Sequence, residues 1–157
     1  MKVFIVEDSL VAYENLQSVL SDIPGVVIIG HAVDEMGAIN GIDSLMPDAV
    51  ILDLNLKSGY GINVLKNIKE LHAAIKVMVF TNHANEFYAS RCKHAGADYF
   101  FDKSFQFSHL HSALLAISSC MADTGATPAP ANAGLRPRSK QPERTHHPAK
   151  KRSDEVP

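Results

Sequence analysis

The chain has 157 residues, 46% hydrophobic and 20% charged, which is enough apolar content for one buried core of ordinary size. Its net charge of −2 hides an asymmetry: residues 1–121 carry 8 Lys/Arg against 13 Asp/Glu, and residues 122–157 carry 7 against 4. No apolar run approaches the roughly 20 residues of a membrane span, and the stretch Val3–Val6 is too short for a secretory signal. Cys92 and Cys120 form neither a disulfide framework nor a metal spacing. A cytoplasmic protein with no membrane partner is expected.

In chain order, the β-branched run Lys2–Val6 predicts a first strand, and the stripe Val11, Leu16, Val19 and Leu20 predicts a helix over Leu10–Leu20. Pro24-Gly25 turns the chain into a second strand at Val26–Ile29. Met46-Pro47-Asp48 precedes a third at Ala49–Leu52, and Ile62, Leu65, Ile68 and Leu71 mark a helix over Ile62–Leu71. A fourth strand is expected at Lys76–Phe80. Ala95-Gly96-Ala97 leads to a fifth at Asp98–Phe101, and Phe107, Leu110, Leu114 and Ile117 line a last helix within Phe105–Ile117. A β-α unit repeated five times implies an α/β fold, a five-stranded parallel sheet with helices on both faces. Functional groups then belong at the carboxyl ends of the strands.

From Ala122 the texture changes. Residues 122–157 hold six of the eight prolines, and Leu135 and Val156 are the only members of the Leu, Ile, Val and Phe set there. Such a segment buries too little to offset the entropy of ordering it, so a disordered basic tail at 122–157 is expected beside a domain at 1–121.

The strand ends carry chemistry. The first run ends in Glu7-Asp8, the third in Asp53, the fourth in Thr81-Asn82, and Lys103 follows the fifth. On one edge of a parallel sheet, three carboxylates repel one another unless a cation offsets them, and a hard divalent ion such as Mg²⁺ suits oxygen ligands. A carboxylate is also a nucleophile toward phosphorus, and phosphoryl transfer needs positive charge and donors around the moving oxygens. Lys103 and Thr81 supply these. Singly, each residue has a structural explanation, for example Asp8 or Ser9 as a helix N-cap; together, in order, they point to a phosphoryl site.

The stretches Val3–Asp8, Ala49–Leu54, Val79–Thr81 and Ala95–Lys103 resemble the receiver domain of two-component response regulators. The resemblance implies a flavodoxin-like (βα)₅ fold, with the strand order 2-1-3-4-5 imported from the family rather than read from the residues. It implies Asp53 as phosphoacceptor, taking its phosphoryl group from a histidine kinase or histidine phosphotransfer protein. Glu7, Asp8, Asp53 and the backbone carbonyl of Asn55 would hold Mg²⁺. Lys103 and Thr81 would bind the phosphoryl group, and Phe100 would turn inward as Thr81 moves. Asn55, Asn82 and His83 flank the site and would set the lifetime of the phosphoryl group. Phosphorylation would shift the face built from the fourth helix, fifth strand and fifth helix, about residues 85–117, controlling a protein contact or a homodimer.

Three positions depart from the family pattern. Asn82 replaces the usual small residue, Lys57 a proline, leaving Lys57–Gly61 a less rigid loop, and Ser104 a proline after the lysine that accompanies a cis peptide. None removes a reacting group, so competence for phosphorylation survives; by the resemblance the chain is expected to be not an enzyme but a signalling phosphoacceptor that assists its own phosphotransfer and dephosphorylation. Of the histidines, His109 and His111 point to different helix faces and His146-His147 lie in the tail, so none pairs as a metal site. The 36 residues after Met121 lack the periodicity of a DNA-binding domain, so the chain reads as a stand-alone receiver. Alternatives are a phosphorelay intermediate, a scaffold, or a DNA-associated regulator using Arg136, Arg138, Lys140, Arg144 and Lys150-Lys151-Arg152.

Overall fold

The structure is a computed structural model that describes residues 1–124. Five strands, β1 (Lys2–Val6), β2 (Val27–Ala32), β3 (Ala49–Leu52), β4 (Lys76–Thr81) and β5 (Tyr99–Asp102), alternate with α1 (Leu10–Ser21), α2 (Glu35–Leu45), α3 (Gly61–Leu71), α4 (Glu86–His94) and α5 (Phe107–Thr124). The strands form one parallel sheet in the order β2-β1-β3-β4-β5, the order that the resemblance implies.

Period-two alternation sorts the strand side chains between two cores. Phe4, Val6, Val50, Leu52, Val77 and Val79 face α2, α3 and α4, where Ala38, Ile42, Val64, Leu65, Ile68 and Cys92 complete one cluster. Val3, Ile5, Ala49, Ile51, Met78 and Phe80 point the other way, toward Leu16 and Leu20 of α1 and Leu110, Leu114 and Ile117 of α5. Both faces of the central strands are therefore buried, as their unbroken apolar runs require.

The expected elements all form, with shifts that have physical causes. β2 continues through Gly30 and His31 to Ala32 because backbone pairing with Phe4, Ile5 and Val6 sustains the ladder without an apolar side chain at every step. The last helix starts at Phe107 rather than Phe105, whose ring is 83% exposed. It runs to Thr124, so the first three residues assigned to the tail are helical; the rest of that assignment lies outside the described residues. Val11 leaves the expected stripe: it lies about 140° around the helix from Leu16 at about 100° per residue, and it is exposed. Leu71, the last residue of α3, is exposed too, while Val64 takes a core place. No cis peptide occurs among the described residues.

Candidate functional site

The carboxyl edge of the sheet is built by three strands that end in step. Val6 and Leu52 are register partners, so Glu7 and Asp53 leave neighbouring strands side by side. The Asp53 N–H donates to Val6 O at 2.9 Å, and the Glu7 N–H to Ala32 O at 2.9 Å, which fixes both backbones before the chains diverge into helices. On the other flank Thr81 pairs with Asp102 across β4 and β5, and the Lys103 N–H donates to Thr81 O at 3.0 Å.

The side chains converge. Lys103 Nζ donates to Asp53 Oδ2 at 2.6 Å and to Glu7 Oε2 at 2.5 Å, with its own side chain only 7% exposed. Glu7, Asp8 and Asp53 each offer a carboxylate oxygen, and these oxygens lie within 4.8 Å of one another. Glu7, Asp53 and Thr81 are buried and Asp8 is exposed, so the cluster is open on one side. Burial pushes the Glu7 carboxyl above its ordinary value; the hydrogen bond and charge of Lys103 oppose that, and the negative charge of Asp53 adds to it. Three oxygen donors with one solvent-facing side fit a hard divalent cation such as Mg²⁺.

Local structure explains why these groups can be presented. The α1 N-cap is Ser9, whose Oγ accepts from the Ala12 N–H at 3.3 Å, so Asp8 is not spent on capping. Glu7 Oε1 accepts from the Ser9 N–H at 3.1 Å, and Asp53 Oδ1 from the Asn55 N–H at 3.3 Å. Each buried carboxylate is thus held by a backbone donor as well as by Lys103. Gly61 opens α3 so close to β3 that a Cβ there would lie 2.0 Å from Asp53 O.

The flanking residues occupy distinct positions. The His83 N–H donates to Thr81 Oγ1 at 3.2 Å, and its ring lies edge-on to Tyr88 with centroids 6.1 Å apart. Asn82 and Asn55 are exposed beside the cluster, and Phe100 is half-buried against the core under α4. Cys92 belongs to that core, and burial pushes its thiol up to about 11. The loop Lys57–Gly61, expected to be loose without a proline, is tied to the start of α2. Glu35 Oε2 accepts the Tyr60 N–H at 2.8 Å, and Asn63 Nδ2 donates to both Glu35 oxygens at 3.2 and 3.3 Å. Sequence reading missed Glu35 because it stands 25 residues from Tyr60 and carries no local motif.

A doubly wound parallel sheet with acidic groups and one lysine gathered at its carboxyl edge defines the class of two-component receivers. Residues 3–115 match the response regulator receiver domain family, and the chain belongs to it. It is 35% identical over 81 residues to a protein-glutamate methylesterase/protein-glutamine glutaminase of Hydrogenovibrio crunogenus, covering 52% of this chain and 22% of that protein. The chain spans about a quarter of the length of such curated relatives, so the enzymatic activity in their names is not carried by the match. Among solved structures it is similar to a LuxR-family two-component response regulator of Aurantimonas sp. SI85-9A1, with a TM-score of 0.70 and 26% identity over 76% of this chain and 85% of that one. It is also similar to the Mn²⁺-bound form of the response regulator Rcp1, with a TM-score of 0.64 and 25% identity over 82% and 99% of the two chains. The chain is accordingly a signalling domain of the two-component type. No described helix is long and apolar enough to cross a membrane.

Proposed function

We propose that Asp53 is the phosphoacceptor of a cytoplasmic signalling pathway, taking a phosphoryl group from the phosphohistidine of a histidine kinase or phosphotransfer protein. The observation that carries this reading is the Lys103 ammonium seated on both Glu7 and Asp53, with Asp8 completing the carboxylate cluster at the open side. An Asp53 oxygen attacks phosphorus, the P–O bond forms as the P–N bond breaks, and the imidazole leaves. Lys103 then has an anionic phosphoryl oxygen to pair with, and the Thr81 hydroxyl supplies a further donor. Glu7, Asp8, Asp53 and the Asn55 carbonyl would hold Mg²⁺. Bound there, the ion supplies positive charge that offsets the carboxylates and the phosphoryl oxygens.

Charge added at Asp53 stabilises the arrangement in which Thr81 approaches it, and Thr81 leads through His83 directly into α4. The face of α4, β5 and α5 is therefore the proposed output surface for a downstream protein or a second copy. It exposes Phe87, with the Arg91 guanidinium 5.4 Å from its ring centroid, and half-buries Tyr88.

The test is incubation with a small acyl phosphate or phosphoramidate, with and without Mg²⁺, on the wild-type chain and Asp53→Asn. Mg²⁺-dependent incorporation of one base-labile phosphoryl group, absent in the variant, is the expected outcome. Incorporation that survives in Asp53→Asn would move the site elsewhere. No incorporation from these donors or from a phosphohistidine protein would remove the reading.

A further inference from the structure

We propose that Glu35 is a positioning residue for the phosphoryl site, acting through the loop between β3 and α3; this rests on the reading of Asp53 as phosphoacceptor. Glu35 opens α2, far from β3 in the chain, yet it holds that loop by three kinds of contact. Its N–H donates to Ser58 O at 3.0 Å, its Oε2 accepts the Tyr60 N–H at 2.8 Å, and its carboxylate accepts from Asn63 Nδ2 in the first turn of α3. Beside it, the Lys57 N–H donates to Val33 O at 3.1 Å.

The contacts form a relay to the reacting group. Tyr60, held by Glu35, pairs with Asn55 in an isolated antiparallel bridge. The Asn55 N–H in turn donates to Asp53 Oδ1, and the Gly61 N–H to Leu54 O at 3.0 Å. Two ends of the loop are therefore pinned, one at Leu54 and Asn55 and the other at Tyr60 and Gly61, and Glu35 supplies the external anchor. Asn55 also carries the carbonyl assigned to the cation. Gly59 leaves room for the anchor: its φ is +81°, and a Cβ there would sit 2.4 Å from both Glu35 Cβ and Oε2. A carboxylate accepting several donors is a directional clamp, which a proline in this loop would replace by backbone stiffness.

The consequence is local order without a contact to the reacting atoms. Outer partners of a metal site typically change affinity by about tenfold or more when removed. Glu35→Ala is expected to speed amide exchange of Asn55 and Tyr60 at least tenfold, and to weaken apparent Mg²⁺ affinity by about tenfold. The rate of phosphorylation at limiting Mg²⁺ would fall in proportion. Glu35→Gln keeps one acceptor oxygen for the Tyr60 N–H and is expected to recover most of both effects. Gly59→Ala, with Glu35 intact, should loosen the same amides, because the added Cβ would meet Glu35 Cβ and Oε2 and the φ of +81° disfavours any side chain there.

The experiment is amide exchange by NMR and Mg²⁺ titration by calorimetry on the full chain and these variants, with thermal unfolding to show that each is folded. A folded Glu35→Ala chain whose loop amides and Mg²⁺ affinity match the wild type would overturn the proposal alone. A wild-type chain that binds no Mg²⁺ would overturn the functional reading and the role of Glu35 together. Faster exchange spread evenly over β4 and β5 would identify Glu35 as a general contributor to stability and would also overturn it.

Discussion

At the scale of single residues, the buried charges Glu7, Asp53 and Lys103 at the carboxyl ends of the strands have a half-buried counterpart at the opposite ends. Asp98, ahead of β5, accepts from Lys69 Nζ at 2.6 Å, Lys76 Nζ at 3.0 Å and the Val77 N–H at 2.9 Å. Burial by itself would raise the Asp98 carboxyl, but these donors outweigh it and hold it below its ordinary value. A depressed folded-state value means that the carboxylate contributes stability above the pKa of the unfolded chain and loses it as pH falls through the folded value. Asp98→Ala is expected to cost about 3 kcal/mol at neutral pH, because it removes the carboxylate shared by two lysines that are each only 14% exposed and leaves Lys69 with Ile75 O alone. Urea unfolding from pH 7 to pH 3 would show the difference from the wild type narrowing toward acid. A constant difference would mean that the side chain matters by packing rather than by charge. The lysine at the other end, Lys103, has the converse arrangement, one cation between two carboxylates, which is why that end is the one suited to accept more positive charge.

At the scale of elements, the site depends on how closely a helix can approach the strand that precedes it. At Gly61 any side chain would meet the backbone at Asp53 and Leu54 rather than a flexible side chain that could move aside. Gly61→Ala is therefore expected to shift α3 or the end of β3, with a stability loss of about 3 kcal/mol read from the urea midpoint. Phosphoryl incorporation should fall with it even where the chain stays folded. Unchanged incorporation would show that the geometry around Asp53 tolerates displacement of the helix.

Much of this was legible in the chain. Strand runs were readable because a strand buried on both faces has no polar positions, and the strand-end groups were readable because they follow those runs directly. Helix faces were less so: the stripes through Leu16 and Leu20 and through Leu110, Leu114 and Ile117 are real, whereas Val11 and Leu71 fit an apolar count but meet no core. The anchoring of Lys57–Gly61 was not legible at all. The missing proline argued for looseness, and the compensating carboxylate comes from another β-α unit.

For the whole molecule, the acidic edge is a place where folding has concentrated repulsion that a ligand can relieve. Asp8 is the exposed member, and no described hydrogen bond or ion pair involves its side chain. Asp8→Asn should leave stability without metal unchanged or slightly raised, since it removes a charge beside Glu7 and Asp53. The wild type, by contrast, should gain about 2.7 kcal/mol at a Mg²⁺ concentration 100 times its dissociation constant. Paired urea titrations with and without Mg²⁺ measure both; an equal gain in the variant would exclude Asp8 from the site.

The sequence by itself determined the alternation of strand and helix, the burial of both sheet faces and the identities of Glu7, Asp8, Asp53, Thr81 and Lys103, because each follows from local period or from position at the end of an apolar run. Tertiary structure decided which of these groups touch. It placed β1 beside β3 so that Glu7 and Asp53 share one lysine, and brought Glu35 against a loop that follows a different strand. Such contacts join residues far apart in the chain, and only the packing of whole elements against the sheet fixes them.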